Sequence, residues 1–316
     1  MPESPHSVQY LIDLLRQGGR LQPDLLVGAD LSGADLSGVR FDRMNLEGTR
    51  LNGANLQRAA WTQCRLHGTR FDAAVLSNTQ FTDCVMNEAS LRGAKLDHVW
   101  MQNSKWQHCD FHAADLTRLA ALDTRFEGGA LAGAILAEAW LSQCTLLDLD
   151  LAGVCWDKVL LPDCTLERCS LAEATLSQCA LTRAIAPGLD LRNAQAQGLS
   201  LYRAVLDEAC FDGALLDSAI FDMARMDHVT LRNASLRNAR FYAAASLGID
   251  FSGSMMHYAD LSHFHAANAD FTRANLTGAL LHAAQLPNAL WNDAVLDDVR
   301  RDDAELREAE LWQPAV

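Results

Sequence analysis

Hydrophobic residues recur at every fifth position of the chain, from Leu26 to Leu311. Of the 58 positions in this series, here named i, all but six carry Leu, Phe, Met or Trp, and no insertion shifts the phase. A second series at i−2 is dominated by small residues such as Ala29 and Ala34. A period of five fits neither the 3.6 of a helix nor the 2.0 of an open strand. It predicts a chain that turns a corner every five residues, with i and i−2 pointing inward.

Four such sides would close a square coil of about 20 residues, and coils would stack at the strand spacing of about 4.8 Å. The six exceptions at i are Ala121, Ala186, Ala196, Ser246, Ala266 and Arg301. The five small ones each have a bulky i−2 neighbour, as Leu119 beside Ala121 and Phe264 beside Ala266. Cores hold a near-constant volume, so these exceptions predict compensated packing rather than loops.

The motif A-(D/N)-L-x-x appears in "GADLSGADLSG", "GANLQ", "NADFTRANLTGALL" and "LRNASLRNARF". In these stretches the sequence resembles the pentapeptide-repeat family, over roughly residues 24–313. The resemblance implies an all-β, right-handed quadrilateral β-helix of about 14 coils, a rod about 70 Å long at the coil spacing. We divide the chain into an N-terminal capping helix (1–20), one β-helix (21–313) and a tail (314–316).

Both ends of the chain carry capping signals. Ser7 is a candidate N-cap and Gly18 a helix end. The apolar stripe expected to cover the first coil consists of Val8, Leu11, Ile12, Leu14 and Leu15. The charged segment "DDVRRDDAELREAELWQP" predicts the last coils with a polar outer face, closed by Trp312 and Pro314.

The net charge of −14 is uneven: residues 1–105 are balanced, and the two later thirds each carry −7. This distribution argues against direct nucleic-acid binding through a basic patch. No run of 18 apolar residues and no signal-peptide pattern is present. We expect a soluble cytoplasmic protein without a membrane partner, with secretion independent of a signal peptide left open.

Cysteine and histidine suggest redox or metal chemistry. Seven of the nine cysteines occupy i−2, where a thiol replaces Ala as a small buried hydrophobe; these are Cys64, Cys84, Cys109, Cys144, Cys164, Cys169 and Cys179. Cys155 and Cys210, at i−1, are the thiols predicted to be accessible. In "HCDFH", His108, Asp110 and His112 point outward and could hold a divalent ion, although a solvated polar corner is the favoured interpretation. His263, His265 and His282 on neighbouring rungs are interpreted in the same way.

We therefore predict no metal and no cofactor. The sequence shows no phosphate-binding loop, and an unbroken coil offers no cleft in which catalytic groups could be tuned. These features predict that the chain is not an enzyme.

An apolar column on the outer surface is the candidate partner-binding site. At i−1 the column reads Trp100, Ala120, Trp140, Leu160, Ala180, Ser200 and Ile220, with Leu122 and Pro162 beside it. Exposed tryptophans in line favour a protein interface, whereas lateral packing at half-covered corners is the alternative. The predicted contact residues are Trp100, Leu122, Trp140, Leu160, Pro162 and Ile220.

A second column is acidic and contains Asp110, Asp150, Asp190, Asp250 and Asp270. Asp at i−1 in such repeats is expected to stabilise the turn by accepting a hydrogen bond from a nearby backbone amide. The alternative is an acidic face for a basic partner.

Two functions follow from the resemblance and the surface. The favoured one is a scaffold or adaptor that binds another protein, and the family resemblance extends to proteins accessory to bacterial type VI secretion. The alternative is a DNA mimic that binds DNA gyrase or another topoisomerase. The net charge of −14 over about 70 Å gives one charge per roughly 5 Å, against about 1.7 Å in duplex DNA, which disfavours the mimic. A monomer or a homodimer, formed through a rod end or the apolar column, is expected.

Overall fold

The structure, a computed structural model, describes residues 8–19, 21–131, 133–302 and 304–311. The chain divides into two compact units, Met1–Ala180 and Leu181–Val316. Ser7, Trp312, Pro314 and the predicted tail lie outside the described residues.

Short strands, nearly all of three residues, account for the regular structure of both units. In the first unit they are β1 (Arg40–Asp42), β2 (Ala60–Thr62), β3 (Gln80–Thr82), β4 (Val85–Asn87), β5 (Trp100–Gln102), β6 (Lys105–Gln107), β7 (Ala120–Leu122), β8 (Arg125–Glu127), β9 (Leu136–Ala137), β10 (Trp140–Ser142), β11 (Thr145–Leu147), β12 (Cys155–Asp157), β13 (Thr165–Glu167) and β14 (Thr175–Ser177). In the second unit they are β15 (Ala245–Leu247) and β16 (His265–Ala267).

Every strand pair is parallel and joins residues 20 positions apart. In the first unit the sheets run β1-β2-β3-β5-β7-β10, β4-β6-β8-β11-β13 and β9-β12-β14, and in the second unit β15 pairs with β16. Four ladders start five residues apart, joining Asp30 to Arg50, Asp35 to Asn55, Arg40 to Ala60 and Asn45 to Arg65. Four ladders per 20 residues are the four sides of a coil, so the predicted right-handed quadrilateral β-helix is confirmed.

The number of turns is lower than predicted. The sequence phase predicted about 14 coils, and the solenoid has about 11 turns. The phase count treats every residue from 24 to 313 as part of a complete coil. Part of the difference lies at the end of the second unit, where Ala304–Leu311 is helical and adds no turn.

The interior is built from the i and i−2 side chains, as the sequence predicted. Phe41 and Trp61 are fully buried on successive rungs, and their rings stack with centroids 3.8 Å apart. The irregular i residues also point inward: Ala266 is buried beside Phe264. Side-chain volume is therefore exchanged between the two columns while the coil continues.

A helix begins the first unit. Helix α1 spans Val8–Arg16, and its Leu11, Ile12 and Leu15 are buried while Leu14 is partly exposed. The Gly19 amide donates to the Leu14 carbonyl at 2.9 Å and the Gly18 amide to the Leu15 carbonyl at 3.0 Å. These two hydrogen bonds, with φ of 76° at Gly18, are a Schellman cap, so the predicted helix end is confirmed.

A second helix, α2, spans Ala304–Leu311 and lies where the sequence predicted the last coils. The prediction of coil there was wrong. The segment AELREAEL consists of strong helix formers, and a terminal coil would have no following rung to accept its backbone hydrogen bonds. Neither α1 nor α2 has the length and apolar run that a membrane span requires.

One irregularity interrupts the first unit around Gly128 and Gly129. Gly129 occupies an i−2 position but has no side chain to fill the interior, and its φ is 95°. A Cβ atom there would overlap the carbonyl oxygen of Cys109. Nearby lies an apolar cavity of about 40 Å³, lined by residues that include Trp106, Phe126 and Gly128.

Candidate partner-binding surface

Three neighbouring strands of the first unit position the predicted apolar column. In β5, β7 and β10 the i residue points inward, so the residues on either side of it point out. Trp100 pairs with Ala120 and Ala120 with Trp140, and a bridge continues the ladder from Trp140 to Leu160. Successive rungs of one ladder therefore present an apolar side chain.

The exposure of these side chains is largest in the middle of the column. Trp140 is 37% exposed and Leu160 is 41% exposed. Trp100, Leu122 and Pro162 are half-buried. We name this surface the apolar strip; its members are Trp100, Ala120, Leu122, Trp140, Leu160 and Pro162.

The predicted contact residue Ile220 has different surroundings from Trp140. It lies in the second unit, where it bridges Ser200 on one side and Arg240 on the other. Its neighbours in that ladder are polar, and its own side chain is half-buried. Ile220 therefore lacks the continuous apolar surroundings of Trp140.

Each long edge of the strip has its own charge character. Along one edge, at i+2, stand Asp83, Asn103 and Asp123, and the Asn103 amide nitrogen Nδ2 donates to Asp83 Oδ1 at 2.6 Å. On the other edge, Nε of Arg118 donates to a Glu138 carboxylate oxygen at 2.8 Å, and this hydrogen bond lowers the pKa of Glu138. One edge is therefore acidic, and on the other the charges are paired.

The acidic column is a set of turn residues. Each of its five carboxylates accepts the backbone amide two residues further on; the acceptors are Asp110, Asp150, Asp190, Asp250 and Asp270. Arginines neutralise several of them, as with Arg92 on Asp110 at 2.6 Å. Although burial opposes it, hydrogen bonds from Arg232 and Ser252 hold the pKa of Asp250 below its usual value. The column is therefore a series of capped turns crossed by ion pairs.

The cysteines lie where the sequence placed them. The seven i−2 thiols are buried, Cys155 is exposed and Cys210 is half-buried. Burial raises the pKa of Cys109 to about 12 and the pKa of Cys179 to about 11. Inside the coil these thiols serve as small apolar side chains.

The two groups of histidines differ in whether their side chains converge. In the "HCDFH" segment, Asp110 accepts the His112 amide at 2.9 Å instead of turning toward a shared ion. Over the described part of the chain, one group of three metal-ligating side chains converges, and it consists of His263, His282 and Glu310. His265 stays outside it, with Nδ1 at 2.7 Å from the His263 carbonyl.

Sequence reasoning missed Glu310 and several exposed apolar side chains of the second unit. The five-residue phase places Glu310 in a coil, whereas the run of strong helix formers AELREAEL is the signal that could have placed it on a helix. Met223 and Tyr258 occupy i+2, where the backbone is left-handed and the side chain points into solvent. Leu215 is exposed as well, but its ladder neighbours are Gln195 and Ser235.

Family models match most of the chain. A model of the pentapeptide repeat region matches residues 54–123. A model of eight pentapeptide repeats matches residues 25–60, 188–222, 209–244, 250–290 and 274–313. No curated protein matches the sequence significantly.

Solved structures of low identity resemble the chain. QnrB1, a plasmid-mediated fluoroquinolone resistance protein, is 20% identical, with 73% of this chain and 95% of that chain covered and a TM-score of 0.26. HetL, involved in heterocyst differentiation regulation in the cyanobacterium Nostoc, is 21% identical, with 94% and 98% covered and a TM-score of 0.20. A pentapeptide repeat protein from the Arabidopsis thaliana thylakoid lumen is 18% identical, with 56% and 79% covered and a TM-score of 0.12.

These likenesses are too distant to indicate a partner or an activity. The assignment rests instead on the five-residue phase, the four parallel ladders and the family models, whose matches together reach from residue 25 to residue 313 with two gaps. On this evidence the chain belongs to the pentapeptide-repeat family.

Proposed function

We propose that the chain is a non-catalytic scaffold that binds a second protein on the apolar strip. The observation that carries the proposal is the pair Trp140 and Leu160, exposed on consecutive rungs of one ladder. Large apolar side chains grouped on a rigid surface favour an interface, and tryptophan contributes strongly to binding when a partner covers it.

The charges at the edge of the strip indicate the chemistry of the partner. Asp83 and Asp123 favour a protein that places lysine or arginine beside its apolar contact residues. The acidic edge would steer such a partner and fix its orientation, while the tryptophans would supply most of the affinity. The narrower role of an adaptor in type VI secretion rests on the family resemblance.

The DNA-mimic alternative has less support. A mimic of duplex DNA needs closely spaced unpaired negative charges. In the acidic column, however, Asp110 is paired with Arg92 and Asp250 with Arg232 at 2.5 Å. A DNA gyrase supercoiling assay tests this alternative: inhibition that survives replacement of Trp140 and Leu160 would favour the mimic over the scaffold.

The scaffold proposal is tested by the double variant Trp140→Ser plus Leu160→Ser. We expect the variant to lose a partner that the wild-type chain binds, with the thermal midpoint of the solenoid nearly unchanged. Equal binding by wild type and variant would refute the role of the strip.

A further inference from the structure

A cluster of two histidines and a glutamate lies where α2 meets the coils of the second unit. His263 and His282 stand on neighbouring rungs, and the His263 amide donates to the His282 carbonyl at 2.8 Å. Their rings meet edge to face with centroids 5.6 Å apart. The coils therefore supply the two histidines of the cluster, and α2 supplies the glutamate.

Glu310, in the last turn of α2, brings its carboxylate against both rings. Its Oε1 lies 2.8 Å from Nε2 of His263, and its Oε2 lies 3.5 Å from Nε2 of His282. All three residues offer a ligand atom within 4.8 Å of the others. The side chain of His282 is fully buried, while those of His263 and Glu310 are partly exposed. The cluster is thus closed on the side of the coil and open at its rim.

The distances agree with the geometry of a zinc site. Zinc binds its ligands tetrahedrally at about 2.0–2.1 Å, so neighbouring ligand atoms are about 3.3 Å apart. The two nitrogen–oxygen distances, 2.8 Å to Oε1 and 3.5 Å to Oε2 of the Glu310 carboxylate, lie on either side of that value, and one ligand atom of each residue lies within 4.8 Å of the others. Two imidazoles and one carboxylate suit Zn²⁺ better than Ca²⁺ or Mg²⁺, which prefer ligand sets made of oxygen.

A carboxylate also stands behind one of the rings. Nδ1 of His282 lies 3.6 Å from Oδ1 of Asp302, and Arg307 Nη1 donates to the other oxygen of that carboxylate at 3.1 Å. Metal-ligating histidines commonly direct their second ring nitrogen at such a group, which orients the ring and increases the basicity of the ligand.

We propose that His263, His282 and Glu310 bind a Zn²⁺ ion that fastens α2 to the coils, with water as the fourth ligand. The ends of a solenoid need caps, because their outer rung has no following repeat. Binding the ion across α2 and two rungs would stabilise the folded chain by an amount that rises with the logarithm of the metal concentration above the dissociation constant. This site belongs to the second unit and is independent of the partner surface on the first.

The test is metal binding by the purified full-length chain after chelator treatment. We expect one Zn²⁺ per chain by calorimetry and a higher thermal midpoint with Zn²⁺ than without. Co²⁺ is a spectroscopic probe of the same site. The intense visible bands of tetrahedral cobalt should appear without a thiolate-to-cobalt charge-transfer band, which separates this site from the cysteines. Absence of stoichiometric binding, or a thiolate band in the cobalt spectrum, would overturn the proposal.

Two matched variants on α2 separate ligation from helix stability. Glu310→Gln should weaken Zn²⁺ binding by at least about tenfold and remove the metal-dependent rise in the thermal midpoint. Glu308→Gln, an equally conservative change at an exposed position two residues away, should leave both unchanged. His263→Gln should behave like Glu310→Gln, and His265→Gln like the control. Equal affinity of Glu310→Gln and Glu308→Gln would refute ligation by Glu310.

Discussion

Trp140 and Leu160 lie next to each other on consecutive rungs of one parallel ladder, and both side chains face solvent. Their immediate neighbours Leu141 and Leu161 are buried in the interior of the coil. Successive side chains along the strand point to opposite faces, so a step of one residue separates a surface that a partner could cover from the core of the solenoid.

This alternation predicts losses of stability of very different size for two neighbouring leucines. Leu160→Ala removes a side chain that is 41% exposed and lies outside the interior, so the free energy of unfolding should change by less than about 1 kcal/mol. Leu161→Ala leaves a cavity in a close-packed interior and should lower it by about 2–5 kcal/mol. Urea denaturation of both variants measures the difference. A large loss for Leu160→Ala would mean that the strip is lateral packing.

Gly129 is expected to be the glycine least tolerant of substitution in the first unit. Gly129→Ala forces a Cβ against the Cys109 carbonyl at a φ of 95°, and should cost at least about 2 kcal/mol of unfolding free energy. Gly153→Ala is the matched control. Its φ is 66° and nothing lies within 4 Å of the added atom, so a cost of about 1 kcal/mol is expected. Equal losses in thermal denaturation would contradict the steric account.

Thiol reactivity should follow burial. Cys155 is exposed, and Cys210 is half-buried with the Thr230 hydroxyl donating to its sulfur at 3.3 Å. In a chromogenic thiol assay at mildly alkaline pH, Cys155 should react first and Cys210 more slowly. The seven interior thiols should react only after a denaturant is added, since burial keeps the reagent away from their sulfur atoms. Cys155→Ser should remove the fast phase, and fast reaction of interior thiols would contradict the buried columns.

The repeated turn "ADLSG" should depress the pKa of its aspartate. In Asp30, hydrogen bonds from the Ser32 hydroxyl, the Ser32 amide and Arg50 lower the pKa from 3.8 to about 2. Because the folded-state pKa is below the unfolded one, this stabilisation is present above about pH 4 and is lost as the pH falls toward 2. Carboxyl NMR titration measures the value directly.

The second copy of the turn provides an internal control for that titration. Ser32→Ala should raise the pKa of Asp30 and leave that of Asp35, which is bonded to Ser37, in its lowered range. An unchanged Asp30 in Ser32→Ala would show that the serine does not bind the carboxylate.

The sequence predicted the interior well because burial in this fold is set mainly by phase. Phe264 and Ala266 could be assigned to the core without any knowledge of their neighbours. The turns carry a further signal: the residue at i+2 is left-handed, with φ of 66° at Gly28 and 55° at Arg43, which favours glycine, asparagine and aspartate there.

The features that sequence missed depend on contacts between separate elements. Leu306 and Leu311 keep the five-residue phase, so the phase could not reveal that α2 replaces the last coils. The meeting of Glu310 with His263 depends on where that helix packs, 47 residues along the chain from the histidine. Similarly, the i−1 column of the sequence could not distinguish Ile220 from Trp140. In the structure Ile220 differs because its ladder neighbours, Ser200 and Arg240, are polar.

The most direct test of the central claim is partner binding by the strip, measured with purified components. A partner recovered with wild-type chain is identified, purified and titrated against wild type, Trp140→Ser plus Leu160→Ser, and the control Leu215→Ser, which replaces an exposed leucine of the second unit. We predict that the strip variant weakens the affinity at least about 100-fold and that the control matches wild type. Neutralising Asp83 and Asp123 should slow association. Equal affinities of the strip variant and wild type would contradict the account.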